Sequence, residues 1–299
     1  MHALVFDTDA PFRPEGAAPS PVSPEARIAG LTLLQRAVFL AWRAGAQRIS
    51  VFIHDPEVAR RWKARRQPPV PVTVLTPDGL LSFASDQPVL VLAAQILPQP
   101  ALLERLAREY EVAGGTVSAT LTSEACGGPL VVPPGGLGKG DLAAQVRLTQ
   151  RGASLLMARS GEYRRIDSQE ALRDADRSLY VGLTSISDGW VDRVFNRHIS
   201  GWFTRRIINL PITPNAVTWF HFSLGLLAAA LFWQNAYWQH ALGALLFQLS
   251  VALDCSDGEV ARLKFQFSRF GSRLDVITDN IVTVAVFTAI ANFRVRQFY

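Results

Sequence analysis

Four aspartates near the end of the chain have the spacing of a metal-binding site. Asp254 and Asp257 are three residues apart, so on a helix they project from one face. Gly271, Asp275 and Asp279 follow one another in steps of four, which aligns them on a second helix. A hairpin that brings the two faces together collects four carboxylates. We therefore predict that Asp254, Asp257, Asp275 and Asp279 hold metal ions.

Divalent cations would explain how four carboxylates share one place. Without counterions the carboxylates repel one another and are costly to remove from water. Oxygen ligands, with no His or Cys set at zinc spacing, favour Mg²⁺ or Mn²⁺. Two such ions can polarise a pyrophosphate and stabilise a leaving phosphate. The alternative for Asp254 and Asp257 is a solvated acidic loop, whereas function is the default for Asp279 inside an apolar helix.

Small and basic residues beside the aspartates could hold a phosphate-bearing ligand. Gly258, Ala261 and Gly271 lack bulk, so a flat base or a diphosphate could approach the backbone there. Arg262 can neutralise a phosphate through its forked donors. The alternative is that the glycines serve only helix packing.

Long apolar segments surround this acidic cluster and predict an all-α membrane domain. Hydrophobic residues make up 49% of the chain and the mean hydropathy is +0.16, which is high for a soluble protein. We predict three spans, at 217–233, 236–253 and about 274–293. A buried hairpin of a soluble protein is the alternative for the first two spans, but neither has a polar face.

Basic residues flank the apolar segments and predict the orientation of the chain. They place the segment before the first span and the loop after the second span in the cytoplasm. A formal charge of +5, without a nucleic-acid motif, indicates membrane lipids and no nucleic acid as partner. Residues 189–210 are predicted to form an amphipathic helix on the membrane surface, with an apolar face of Trp190, Val194, Phe195, Ile199, Trp202, Phe203 and Ile207. The basic residues are Arg193, Arg197, Arg205, Arg206, Arg262, Lys264, Arg269 and Arg273.

The first 185 residues are predicted to form a cytoplasmic α/β domain. Its strands and helices alternate, which is typical of a parallel, doubly wound sheet. The N-terminus lacks the basic and apolar regions of a signal peptide. Cys126 and Cys255 are expected to be free thiols, as is usual on a cytoplasmic face. The predicted strands are 3–7, 49–53, 72–75, 89–93 and 117–121, and the predicted helices are 31–44 and 100–110.

The complete aspartate motif resembles the signature of the CDP-alcohol phosphotransferase (CDP-alcohol phosphatidyltransferase) family. The string D-x2-D-G-x2-A-R-x8-G-x3-D-x3-D, from Asp254 to Asp279, matches the signature at every fixed position. Residues 214–218, and Asp188, Gly189, Asn196 and Arg197 before them, also resemble that family's entry to its first span. The resemblance covers about residues 186–299.

The resemblance implies a role for each residue of the motif. Asp254, Asp257 and Asp275 would hold two Mg²⁺ or Mn²⁺ ions, and Asp279 would deprotonate the acceptor and could also touch a metal. The CDP moiety would be held by Gly258, Ala261, Arg262, Gly271, Asn215 and Thr218.

The resemblance also implies a reaction in phospholipid biosynthesis and the partners of that reaction. A phospho-alcohol group would pass from a CDP-linked lipid or alcohol to a small alcohol or lipid acceptor, and CMP would be released. A homodimer is typical of the family. Family members have six spans, so three predicted spans at 215–299, after a juxtamembrane helix at 186–214, indicate an incomplete domain. A truncated, non-catalytic membrane protein is therefore an alternative.

Two segments of the first 185 residues resemble sugar-phosphate nucleotidyltransferases. They are residues 25–36, similar to the segment after that family's nucleotide loop, and residues 165–172, similar to its closing stretch. Such domains, fused to CDP-alcohol phosphotransferases, make the CDP-linked donor. The resemblance implies a nucleotidyltransferase-like fold and, as an alternative function, a bifunctional protein.

The catalytic parts of that second family are missing, so we expect a degenerate domain. No G-x-G-x-R loop follows the first strand, and Ser23 stands where a lysine belongs. The metal-binding aspartate expected after strand 89–93 is replaced by Ala94 or Gln95. Residues 133–140 fail the P-loop pattern and are interpreted as a flexible loop. The acids in this part, Asp7, Asp9 and Asp167, are interpreted as solvated loop residues.

Overall fold

A computed structural model describes most of the chain, as two compact units. The described residues are 1–12, 19–76, 83, 85–120, 128–137, 141–183, 196–234 and 236–298, with only the backbone described for 294–298. Unit 1 is Met1–Asp176 and unit 2 is Arg177–Tyr299, a division nine residues before the boundary predicted at 185. The predictions for Cys126, Gly138–Gly140, Asp188, Gly189, Trp190, Arg193, Val194 and Phe195 lie outside the described residues.

Unit 1 is an α/β domain built on a seven-stranded sheet. The strand order is β10-β8-β9-β6-β1-β4-β5, which places β1 and β6 among the inner strands. The elements are β1 His2–Phe6, β2 Arg27–Ile28, β3 Leu31–Thr32, α1 Leu33–Arg43, β4 Arg48–Phe52, α2 Pro56–Lys63, β5 Val72–Leu75, β6 Val89–Ala93, β7 Ile96–Pro98, α3 Pro100–Ala113, β8 Val117–Thr120, β9 Leu130–Val132, α4 Leu142–Arg151, β10 Ser154–Met157, β11 Tyr163–Arg165 and α5 Gln169–Val181.

The inner strands consist of continuous apolar runs because both faces of the sheet are covered. All five residues of β6 are buried, as are four of the five in β1. Helix α1 begins with a capping box, in which the Thr32 hydroxyl accepts the Gln35 N–H at 3.2 Å. The predicted α/β character is therefore confirmed.

One strand makes the sheet mixed rather than parallel. Strand β1 pairs parallel with β4 and β6, whereas β9 is antiparallel to both β6 and β8. Nine residues, 121–129, connect β8 to β9, and a parallel crossover needs about a dozen or more. The prediction of a wholly parallel sheet is therefore wrong at β9.

Unit 2 is helical in its described part, and its helices pack closely. Gly225 allows the approach of the first long helix to the last, because a Cβ built there would lie 2.5 Å from Val282 Cγ1. Ala229, Val282 and Val286 form an apolar cluster next to this contact. The helices are α6 Arg197–Ile207, α7 Pro214–Phe232, α8 Tyr237–Lys264 and α9 Arg269–Phe298.

Two of the three predicted spans are long and apolar enough to cross a membrane. They are α7 and residues Arg269–Phe293 of α9. Helix α8, which contains most of the span predicted at 236–253, does not meet this criterion. Large apolar side chains of α7 and α9 point outward, as lipid contact would require: Trp219, Phe220, Leu227, Ile277, Val284 and Phe287.

In the described residues, the predicted amphipathic helix ends at Ile207, three residues before the predicted end at 210. Helix α6 covers 197–207 of the predicted 189–210, and residues 189–195 lie outside the described part. A new helix then starts where the breakers predict it, with Pro214 in its first turn and the Thr213 hydroxyl accepting the Ala216 N–H at 3.3 Å. Trp202 is exposed, whereas Ser200 and Thr204 on the other side of α6 are buried.

Candidate active site

A tight connection between α8 and α9 positions the aspartates. Helix α8 ends at Phe265, which adopts a left-handed conformation with φ of 54°. Helix α9 begins at Arg269, and the Ser268 hydroxyl accepts the Gly271 N–H at 2.8 Å. Only residues 265–268 separate the two helices, and ligand atoms of Asp254 and Asp275 lie within 4.8 Å of each other. The faces that carry Asp254 and Asp275 therefore meet.

Three of the predicted aspartates form one cluster with a histidine. His221, Asp254, Asp275 and Asp279 each place a potential ligand atom within 4.8 Å of the others. Asp257 borders this cluster, and its Oδ2 lies 3.9 Å from His221 Nε2. The structure thus brings all four aspartates together, with Asp257 at the edge of the group.

The residues of this cluster fit a divalent cation. Asp254 Oδ1 and Asp275 Oδ1 are buried, and neither has a hydrogen-bond partner in the described part of the chain. Buried carboxylate oxygens without partners are costly unless a cation satisfies them. That Asp254, Asp257, Asp275 and Asp279 hold metal ions nevertheless stays a prediction.

His221 is a residue of this cluster that was not predicted from the sequence. Its side chain is 2% exposed, and its Nε2 lies 3.4 Å from Asp254 Oδ1. A signal was present, because Asn215, Thr218 and His221 recur every three residues and so share a face of α7. Asn215 and Thr218 are the two predicted CDP-binding residues of α7. The same spacing, continued along the helix, therefore indicates His221 as a further site residue.

The six residues predicted to hold CDP line one cavity of about 710 Å³. Asp257 and Asp275 also line it, so the cavity reaches the acidic cluster. Arg269 and Arg273, which the sequence analysis interpreted only as flanking charges, add two cations to its wall. The predicted lining residues are Asn215, Thr218, Gly258, Ala261, Arg262 and Gly271.

The two glycines of the motif have different surroundings. A Cβ at Gly271 would lie 2.8 Å from Ser268 Oγ and 2.9 Å from Asn215 Oδ1, so an added side chain would displace these two groups. A Cβ at Gly258 would meet only the Arg262 guanidinium, at an ordinary 3.6 Å. The lack of bulk at Gly271 is therefore needed by the cavity wall itself, whereas Gly258 leaves room beside Arg262.

Two polar contacts fix the side of α8 that faces the cavity. The Thr218 hydroxyl of α7 donates to Asp257 Oδ2 at 2.5 Å. Lys264 donates from Nζ to the carbonyl oxygens of Leu210 and Ile212 at 2.8 and 3.0 Å. These bonds connect Asp257 of α8 to α7, and Lys264 at the end of α8 to the residues just before α7.

A buried glutamate joins α6 to α8. Glu259, which is 2% exposed, accepts hydrogen bonds from Ser200 at 2.9 Å and Thr204 at 2.7 Å. Arg197 forms a salt bridge with the same carboxylate at 3.1 Å. Arg197 was predicted from the family resemblance, whereas Glu259, a variable position of the motif, was not.

Unit 1 has its own cavity, of about 690 Å³, where β1, β4 and β6 end. Asp7 and Asp9 line it and are 3% and 5% exposed, so their interpretation as solvated loop acids is wrong, whereas Asp167 is exposed. Asp7 follows an inner strand directly and accepts the His54 N–H at 2.7 Å. Asp9 pairs with Arg165 at 3.3 Å.

Burial gives Asp7 an unusual environment. It raises the pKa of the Asp7 carboxyl above its ordinary value, although the His54 N–H opposes the shift. Gln95, at the position where a metal-binding aspartate was expected, donates from Nε2 to the Asp7 carbonyl at 3.2 Å. Asp7 Oδ1 and Gln95 Oε1 have no hydrogen-bond partner among the described residues.

Comparison with known proteins finds a family model that matches most of the helical unit. Residues 211–298 match the family model of CDP-alcohol phosphatidyltransferase. This match contains the whole aspartate motif and most of the cavity-lining residues. The resemblance drawn from the motif is thereby confirmed for this part of the chain.

Curated relatives carry one shared name, bifunctional IPC transferase and DIPP synthase. The relative from Aquifex aeolicus is 33% identical over 127 residues, which is 42% of this chain and 28% of the relative. The relative from Archaeoglobus fulgidus is 32% identical over 127 residues, covering 42% and 25%. The chain therefore matches between a quarter and a third of the length of these relatives.

Solved structures of UDP-glucose pyrophosphorylase are similar in part. One, in complex with UDP-glucose, has a TM-score of 0.42 and 11% sequence identity, and the match covers 60% of this chain and 98% of that one. Another, from Acinetobacter baumanii, has a TM-score of 0.43 and 12% identity.

Proposed function

We propose that unit 2 transfers a phospho-alcohol group from a CDP-linked donor to an acceptor alcohol and releases CMP. One observation carries the proposal: the six residues expected to bind CDP line one cavity, and that cavity reaches the aspartate cluster. The family match over residues 211–298 supports the same reaction.

The side chains of the cavity and of the adjoining acidic cluster suit each part of this reaction. Asp279 takes the proton of the acceptor hydroxyl, whose oxygen then attacks the β-phosphorus of the donor. The new P–O bond forms as the bond from the β-phosphorus to the bridging oxygen breaks, and CMP leaves with that electron pair. Arg262, Arg269 and Arg273 neutralise the phosphates during the transfer.

Divalent cations belong to this proposal. Mg²⁺ or Mn²⁺, held by Asp254, Asp257 and Asp275, would neutralise the pyrophosphate of the donor. Gly271 leaves the backbone accessible on the opposite wall of the cavity, where a side chain would displace Asn215. Donor and aspartates would therefore be held in one orientation.

The proposed partners follow from the apolar surface of the helices. A membrane-integral unit, with its site and unit 1 facing the cytoplasm, would take a CDP-linked lipid or alcohol as donor. A small alcohol or a lipid would be the acceptor. The exposed apolar side chains of α7 and α9 would contact membrane lipids, and a homodimer would be the functional state.

A second activity in unit 1 is the alternative, as the name of the curated relatives suggests. The observation in its favour is the cavity at the ends of β1, β4 and β6, with the buried Asp7 in its wall. Ligands of open α/β sheets bind at such strand ends. In that case unit 1 would make the CDP-linked alcohol that unit 2 consumes.

The test measures CMP release by the full chain in lipid nanodiscs. With CDP-diacylglycerol or a CDP-linked alcohol and a panel of acceptors, we expect release that stops in excess EDTA and returns with Mg²⁺ or Mn²⁺. Asp254→Asn should abolish the release, whereas Asp167→Asn, an exposed acid of unit 1, should not. CMP release that persists in excess EDTA would exclude the metal-assisted reaction.

A further inference from the structure

His221 lies inside the acidic cluster, and its Nε2 atom is buried without a hydrogen-bond partner among the described residues. The side chain is 2% exposed. The Nε2–Oδ1 distance to Asp254, 3.4 Å, exceeds the usual 2.7–3.2 Å or so of an N–H···O bond. A buried nitrogen left without a partner is destabilising, because it has lost its hydrogen bonds to water. A ligand between His221 and the carboxylates would remove that destabilisation.

The backbone around His221 is held firmly on both sides. The Ser250 hydroxyl of α8 donates to the His221 carbonyl at 2.7 Å. One turn further along α7, Gly225 packs directly against Val282 of α9. The imidazole therefore lies at a fixed height between the two helices that carry the aspartates.

We infer that His221 is a metal ligand, which gives this chain two unlike cation positions. One position is formed by His221 and Asp254, whose ligand atoms lie within 4.8 Å of each other in a group that also contains Asp275 and Asp279. The other has oxygen ligands only, from Asp257 and Asp275, which line the cavity. This inference rests on the proposed function, because it assigns the cations that the transfer reaction requires.

The two cation positions should prefer different ions, because their ligands differ. An imidazole nitrogen suits Mn²⁺ better than Mg²⁺, because Mg²⁺ is bound mainly by oxygen. The His221 position should therefore select Mn²⁺ in the presence of Mg²⁺, whereas the cavity position should accept either ion. The aspartate motif alone would predict two oxygen-only positions.

Electron paramagnetic resonance of Mn²⁺ bound to the full chain in nanodiscs tests this assignment. With ¹⁵N-histidine labelling and excess Mg²⁺, we expect pulsed spectra of the tight Mn²⁺ to show nitrogen coupling. His221→Asn should remove the coupling and weaken Mn²⁺ binding at least about tenfold. His240→Asn is the matched control, because His240 bonds to the Gln234 carbonyl and contacts Phe293.

A parallel titration of CDP in Mg²⁺ keeps this inference separate from the proposed function. Tight Mn²⁺ without nitrogen coupling, together with Mg²⁺-dependent CDP binding, would overturn the role of His221 and leave the transfer reaction in place. Absence of both Mn²⁺ and CDP binding would overturn both. Coupling that survives in His221→Asn would assign the ligand to another histidine and also overturn the inference.

Discussion

Asp275 and Asp279 lie one turn apart on α9, yet they face different surroundings. Asp275 lines the CDP-sized cavity together with Asp257, and its carboxyl also lies near that of Asp254. Asp279 does not line the cavity, although both aspartates belong to the group around His221. Equal spacing in the sequence therefore places two chemically identical side chains differently with respect to the cavity.

This difference predicts separate effects of the two amide substitutions. Asp275→Asn should weaken metal and CDP binding together, because the pyrophosphate is held largely through the ions. Asp279→Asn should leave CDP affinity nearly intact and lower kcat by roughly 10²–10⁴-fold, the usual contribution of a general base. Titration of CDP and measurement of CMP release on each variant test whether the two substitutions have these separate effects. Equal losses of CDP affinity would make Asp279 a ligand and remove its role as base.

Gly271 allows a prediction about the wall of the cavity. In Gly271→Ala the new methyl group would push against Ser268 and Asn215, so the Asn215 amide would leave its position. CDP affinity should fall about tenfold, equivalent to one lost hydrogen bond of about 1.5 kcal/mol. Gly201→Ala is the control, because a Cβ there meets nothing within 4 Å. Unchanged CDP affinity in Gly271→Ala would show that Asn215 does not contact the nucleotide.

At the scale of elements, a buried polar contact links α8 to α6. Ser200 and Thr204 on α6 both donate to Glu259, and Arg197 neutralises it. Glu259 lies between Gly258 and Ala261, both of which line the cavity. A shift of α6 would therefore change the shape of the predicted CDP site.

Removing the charge of Arg197 should destabilise this contact strongly. In Arg197→Met the Glu259 carboxylate would stay buried without its cation, at a cost of about 3–5 kcal/mol. We expect a lower midpoint of thermal unfolding for unit 2 in detergent. Arg206→Met, which changes an exposed arginine of the same helix, should have little effect. The double variant Arg197→Met/Glu259→Gln should recover part of the loss, and strict additivity of the two changes would contradict the pairing.

The sequence predicts elements and motif residues well because both follow local rules. Strands 72–75 and 89–93 have the predicted bounds, since composition and turn residues delimit buried strands. The antiparallel β9 and the burial of Asp7 were missed, because pairing and solvent access depend on distant residues. His221 and Glu259 were not predicted for the same reason, because the contacts that indicate a role for each residue come from another helix.

At the scale of the whole molecule, the two units carry cavities of opposite character. The cavity of unit 2 has three arginines in its wall. The cavity of unit 1 is lined by four aspartates, and no lysine or arginine lines it among the described residues. A nucleoside triphosphate carries several negative charges and is repelled by such a wall. The acids of the unit 1 cavity are Asp7, Asp9, Asp55 and Asp141.

The charge of that wall predicts that the chain does not make CDP-alcohols from CTP. The full chain in nanodiscs, given CTP, Mg²⁺ and a panel of phospho-alcohols, should release no pyrophosphate above the background of a boiled sample. The physical reason is twofold: Ala94 or Gln95 stands where a metal-binding aspartate is expected, and no lysine or arginine among the described residues of the cavity wall can hold the triphosphate. Asp7→Asn serves as the matched variant, because Asp7 is the buried acid of this cavity. Pyrophosphate release by the unaltered chain that Asp7→Asn abolishes would contradict the prediction and make the protein bifunctional, with unit 1 supplying the donor for unit 2.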